Sequence, residues 1–188
     1  MAASKSPGVA TELLSTSALD EIVGRLGAEI DADGSGPVLL VGVLRGSVVF
    51  LADLIRKMHR EVYVDFLAVS SYTPGAGRVR LLKDLDEPVS GIEVVLVSDL
   101  IDTGLTTRYL IDQLRARGAA GVKVCSLFSR PQRRVVPVAV DFLGAEITED
   151  YLVGYGLDHG GRYRNLPAVY ALGSGALDKP SSDWPDLE

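Results

Sequence analysis

Apolar and polar positions follow two different periods along the chain, and each change of period marks an element. Leu19, Ile22, Val23, Leu26 and Ile30 recur at helical spacing, with Ser17 as the candidate cap. After the break DADGSGP, the run VLLVGVL from Val38 to Leu44 is apolar throughout, as a strand covered on both faces would be. RGS then leads into the amphipathic VVFLADLIRKM, so the stretch reads strand, tight turn, helix. VYVDFLAVSSY predicts another strand, and TPGAGRVRLLKD is polar. In VVLVSDLIDTGLTTRYL the apolar run 94–97 predicts a buried strand, and a helix is expected from about Thr103 to Arg117, ended by GAAG. VKVCSLF is a further buried strand, VAVDFLGAEI one or two more, and DYLVGYGLD a short apolar segment before a Gly-rich loop.

Buried strands alternating with helices predict an α/β fold, a mainly parallel twisted sheet flanked by helices. A length of 188 residues fits one domain. In such sheets ligands bind beyond the carboxyl ends of the strands, which places Arg45, Gly46 and Ser47 at one rim with residues 99–107. The tail 173–188, rich in Gly, Ser, Pro and acid, is expected to be mobile.

Charge and cysteine usage narrow the function classes. A net charge of -6 disfavours a general nucleic-acid or acidic-membrane binder. The single cysteine, Cys125, can form no intrachain disulfide and fits a reducing compartment. The start MAASKSPGVATELL lacks the basic and apolar regions of a secretory signal, and no run reaches the about 18 apolar residues of a membrane span. A cytoplasmic protein is expected.

The chemistry concentrates around Asp99 and Asp102. Thr103, Gly104, Leu105, Thr106 and Thr107 offer free amides, hydroxyls and close backbone approach at a helix start, which is a cradle for a phosphate. Two carboxylates beside it would repel a bare phosphate. A ribose 5-phosphate satisfies both halves, with its phosphate in the helix mouth and its hydroxyls on Asp99. The competing reading makes Asp102 and Thr103 a mere helix cap and Asp99 a solvated turn residue.

Apolar strand, acids, D-T-G-x-T and helix together resemble the phosphoribosyl diphosphate signature of the purine phosphoribosyltransferases. LLVGVLRGSVVFLADL resembles their pyrophosphate loop, VDFLAVSSY the strand entering their mobile catalytic loop, and LVGYGLDHGGRYRNLP their base- and metal-binding segment. On these motifs, which run from about 38 to 172, the chain is identified as a member of the hypoxanthine-guanine phosphoribosyltransferase family, with the type I fold. The resemblance implies a core at about 36–130 and a small hood from the N-terminal segment and about 131–172.

It also implies an activity: transfer of the 5-phosphoribosyl group from phosphoribosyl diphosphate to a 6-oxopurine, with Mg²⁺ as cofactor and release of pyrophosphate. Asp102 would be the general base or acid, and Ser71 and Tyr72 the dyad of the closing loop. Thr103 to Thr107, with Asp102, would hold the 5-phosphate, and Ser98 and Asp99 the ribose. Leu44, Arg45, Gly46 and Arg164 would hold the diphosphate, with a non-proline cis peptide expected at Leu44–Arg45. Arg130, Tyr151, Leu152 and Asp158 would receive the base, and Asp158 and Asp99 the metal. A homodimer or homotetramer is implied as well.

Three positions depart from the family pattern. Ser98 stands where an acid is usual, Arg130 where a lysine is usual, and the stretch after Tyr72 is short. They keep two alternatives open: an enzyme for a modified purine such as a 7-deazapurine, and a phosphoribosyl-diphosphate-sensing regulator that binds nucleic acid. The cluster Arg130, Arg133, Arg134 is the best support for the regulator.

Overall fold

The structure is a computed structural model and describes residues 9–70 and 80–172. Ser71, Tyr72 and the tail 173–188 lie outside the described residues. Six strands form the main sheet in the order β4-β3-β2-β5-β6-β7. They are β2 (Val38–Leu44), β3 (Val62–Val69), β4 (Leu81–Lys83), β5 (Glu93–Ile101), β6 (Gly121–Ser129) and β7 (Phe142–Glu146). All pairs are parallel except β3 with β4. A second sheet, ordered β1-β9-β8, joins β1 (Val9–Leu14), β8 (Leu152–Val153) and β9 (Val169–Leu172).

Side-chain alternation explains why the main sheet is covered twice. Leu40, Val95, Val97, Cys125 and Leu127 face one way, onto Leu19, Val23, Leu26 and Ile30 of α1 (Thr16–Ala32) and Phe50, Leu51 and Leu54 of α2 (Ser47–Lys57). Their neighbours Val41, Val94, Leu96 and Val124 face the other way, onto Leu110, Ile111 and Leu114 of α3 (Leu105–Ala116). Strands with no solvent face must be apolar at every position, hence the continuous run VLLVGVL. Leu152, Tyr155, Leu157 and Val169 of the small sheet and its turn join the α1–α2 side of the core. Cys125 is a buried free thiol, and burial pushes its pKa up. Among the described residues no helix is long and apolar enough to cross a membrane.

Several boundaries differ from expectation. The cap of α1 is Ser15, not Ser17: Ser15 has extended backbone and its hydroxyl accepts from the Ala18 amide at 3.2 Å. β5 continues past residue 97 to Ile101 because its ladder with β6 holds from Ser98↔Ser126 to Ile101↔Ser129. The helix after it starts at Leu105 rather than Thr103, because Gly104 at φ 84° is left-handed and cannot be helical. β1, β9 and the short edge strand β4 are additions, and VAVDFLGAEI makes one strand, β7, which hydrogen-bonds to β6 in the main sheet.

Candidate active site

Two strand-to-helix junctions build the rim. At the first, β2 ends in a cis peptide at Leu44–Arg45, as the resemblance implied, and Gly46 precedes α2. A Cβ on Gly46 would lie 1.6 Å from Asp99 Oδ2, so only glycine lets the loop close over that carboxylate. The Ser47 hydroxyl donates to the Val43 carbonyl at 2.7 Å and folds the turn back on its strand. Arg45 is exposed.

At the second junction Gly104 precedes α3, and no side chain among the described residues caps the helix. The Leu105 amide reaches the Thr103 hydroxyl only at 3.5 Å, so neither Asp102 nor Thr103 is a true cap. Asp99 lies within β5, which excludes the solvated-turn reading. A Cβ on Gly104 would come within 2.9 Å of both Arg134 Cδ and the Val136 carbonyl oxygen. Residues 134–136 therefore lie directly on this loop, and the Val135 amide donates to the Thr103 carbonyl at 2.9 Å.

Beside these junctions a cavity of about 300 Å³ is lined by Asp99, Arg130, Tyr151, Leu152 and Asp158, five of the residues expected there. Leu100, Asp150, Leu157 and His159 complete it. Burial raises the Asp99 carboxyl pKa more than the Leu100 amide, at 2.9 Å, and the nearby Arg164 charge lower it. Ser98 is buried and absent from the lining; its hydroxyl donates to the Leu100 carbonyl at 3.3 Å. Asp158 accepts from the Gly161 amide at 2.7 Å and pairs with Arg164, which also donates to the Gly156 carbonyl at 2.6 Å. Tyr151 is half-exposed and meets the His159 ring edge-on, with centroids 5.9 Å apart.

Arg130, Arg133 and Arg134 turn out to be partnered within the molecule. Arg130 is 4% exposed, donates to the Asp150 carbonyl at 2.9 Å and lies 3.8 Å from Asp102 Oδ2. Burial lowers its pKa more than Asp102 raises it, and its Nε is buried with no hydrogen-bond partner among the described residues. Arg133 Nε stands 3.2 Å from Asp102 Oδ1, and its other arm is 3.2 Å from Asp150 Oδ1. The first contact is an ion pair without hydrogen-bond alignment, since Asp102 Oδ1 is also buried with no hydrogen-bond partner among the described residues. Arg134 donates to the Asp102 carbonyl at 3.1 Å and to the Ser129 hydroxyl at 2.6 Å. The cluster is thus no free basic surface for nucleic acid. The pairing of Arg133 with Asp102 was missed, although Pro131–Arg133 form a 3-10 turn in which positions i and i+3 share a side.

Parallel strands, two glycine junctions at their carboxyl ends and a carboxylate-lined cavity suit a phosphoribosyltransferase. The chain matches the phosphoribosyl transferase domain model over residues 9–159. It is 44% identical over 151 residues to the hypoxanthine-guanine phosphoribosyltransferase of Streptococcus agalactiae, covering 78% of this chain and 84% of that protein. It is 39% identical to the enzyme of the same name from Bacillus subtilis, covering 85% and 91%. A crystal structure of a hypoxanthine-guanine phosphoribosyltransferase from Bacillus anthracis, with HEPES in the active site, superposes with a TM-score of 0.84 at 38% identity, covering 88% of this chain and 99% of that one. A hypoxanthine phosphoribosyltransferase from Staphylococcus aureus gives 0.87 at 31% identity, covering 92% and 96%. The chain belongs to the hypoxanthine-guanine phosphoribosyltransferase family.

Proposed function

We propose that this protein transfers the 5-phosphoribosyl group of phosphoribosyl diphosphate to hypoxanthine or guanine, giving the nucleoside monophosphate and pyrophosphate. The observation that supports this best is the meeting of two uncapped helix starts with the cavity holding Asp99, Arg130, Tyr151 and Asp158. Amides at the start of α3 would hold the 5-phosphate, and those around Gly46, with Arg45 and Arg164, the diphosphate. Tyr151 would stack on the purine, and Arg130 would donate to its 6-oxo group. Asp102 would take or give the proton at the purine imidazole nitrogen. Ser71 and Tyr72 would close over the reacting centre and exclude water.

Two carboxylates at the cavity, Asp99 and Asp158, suit Mg²⁺, which takes one or two protein carboxylates and fills its remaining positions with water and substrate oxygens. The ion would neutralise the charge of the departing diphosphate. The small sheet β1-β9-β8 is the hood in this reading, and we expect a homo-oligomer acting in the cytoplasm.

A turnover assay with phosphoribosyl diphosphate, Mg²⁺ and a panel of hypoxanthine, guanine, xanthine, adenine and deazapurines tests the reading. Pyrophosphate release with hypoxanthine or guanine is the expected result. Release with a deazapurine alone would assign the modified-purine alternative, and release with none would overturn the proposal.

A further inference from the structure

Residues 154–157 form a two-residue hairpin turn: the amides of Gly154 and Leu157 each donate to the other residue's carbonyl at 3.0 Å. Its central residues, Tyr155 and Gly156, have φ of 51° and 94°. Positive φ at both positions is the pattern of the I′ turn, which favours Asn, Asp or Gly at the first and Gly at the second. A tyrosine in that first position is disfavoured by its own Cβ. Local propensity does not explain it, but a long-range contact does. Tyr155 is buried, and its hydroxyl donates to Asp53 Oδ2 on α2 at 2.6 Å. Burial, with the Asp53 carboxylate next, pushes the phenol pKa up, so the hydroxyl remains a donor.

This bond ties the 154–157 turn to α2. α2 begins at the Gly46 junction, whose carbonyl oxygen would lie 2.3 Å from a Cβ on Gly156. Gly156 is also where Arg164 is fastened, through its guanidinium to the Gly156 carbonyl at 2.6 Å and through the Gly156 amide to the Arg164 carbonyl at 3.0 Å. Arg164 in turn holds Asp158.

We propose that Tyr155 is a positioning residue: its bond to Asp53 sets the height of the 154–157 turn over Gly46, and so holds Arg164 in register with the loop opening α2. This rests on the reading of that loop and Arg164 as the diphosphate site. The bond acts on the diphosphate side of the cavity, so its loss affects one substrate more than the other.

Steady-state kinetics on the full chain tests it. Tyr155→Phe removes only the hydroxyl and is expected to raise KM for phosphoribosyl diphosphate about tenfold, with KM for the purine within about twofold. Tyr155→Asn suits the turn better and is expected to show the same rise. A Tyr155→Asn enzyme with the wild-type KM for phosphoribosyl diphosphate overturns the proposal, as does an equal rise in both KM values. Asp53→Asn keeps an acceptor and is expected to keep the wild-type KM for phosphoribosyl diphosphate, whereas Asp53→Ala raises it; these two variants decide the point if Tyr155 variants fail to fold. Should the wild-type protein release no pyrophosphate with any 6-oxopurine, the functional reading falls, and hydrogen exchange still decides the link. Faster exchange of the 45–47 amides in Tyr155→Phe supports it, and unchanged exchange overturns it.

Discussion

The helices of this protein begin in two different ways. α1, which packs on α2 and β7, starts with Ser15, whose hydroxyl takes up the Ala18 amide. α2 and α3, whose starts form the rim, begin at Gly46 and Gly104 with no capping side chain among the described residues. A capping hydroxyl satisfies a first-turn amide internally, so a helix start that is to hold an anion does better without one. Glycine there does a second job, which differs between the two junctions. Gly46 has an ordinary φ of −64° and is required by the approach of Asp99, whereas Gly104 is required both by its φ of 84° and by residues 134–136 lying on it.

Substitutions at these starts should therefore separate stability from function. Gly46→Ala drives a methyl into Asp99 and is expected to cut kcat/KM about a hundredfold or more, measured by pyrophosphate release. Asp102→Asn, next to the α3 junction, should also lose about a hundredfold in turnover while keeping phosphoribosyl diphosphate binding by calorimetry; a variant with full rate would remove Asp102 from proton transfer. Gly104→Ala should raise KM for phosphoribosyl diphosphate about tenfold and lower stability by about 1–3 kcal/mol, read by urea unfolding.

Asp99→Asn sharpens the contrast through pH. Burial raises the folded-state pKa of Asp99, so its protonated form favours folding below the unfolded value, and that contribution is lost as pH rises through the folded one. Calorimetric scans should show Asp99→Asn melting above the wild type at neutral pH, with the gap closing in acid. Equal Tm values at neutral pH would show that the carboxylate costs the fold nothing. The smallest effect belongs to Ser15→Ala, which should lower stability by about 1 kcal/mol and leave kcat and both KM values unchanged.

How much was legible depends on how local each signal is. β2 was bounded correctly because burial on both faces leaves an unbroken apolar run, whose punctuation marks its ends. β4 was not legible: its three residues LLK sit on an edge and are held from elsewhere, Lys83 donating to the Phe66 carbonyl at 3.1 Å and pairing with Asp65 at 3.4 Å. Burial alone would raise the Asp65 carboxyl, but the Phe66 and Asp86 amides and Lys83 together bring it below the usual range. The cavity residues Asp99, Arg130, Tyr151 and Asp158 were found through motifs. The ties of Arg133 to Asp102 and of Tyr155 to Asp53 were not, because each joins segments far apart in the chain.

The sequence alone determined a twofold-covered sheet and glycine junctions opening two of its helices, because side-chain period and backbone sterics act within a few residues. Tertiary structure decided which groups meet there: Asp99 under Gly46, Asp102 against Arg130 and Arg133, and Gly156 on the Gly46 carbonyl. Such contacts depend on how separately folded elements pack, and ångström-scale separations between them are set by the whole core and by no single stretch of chain.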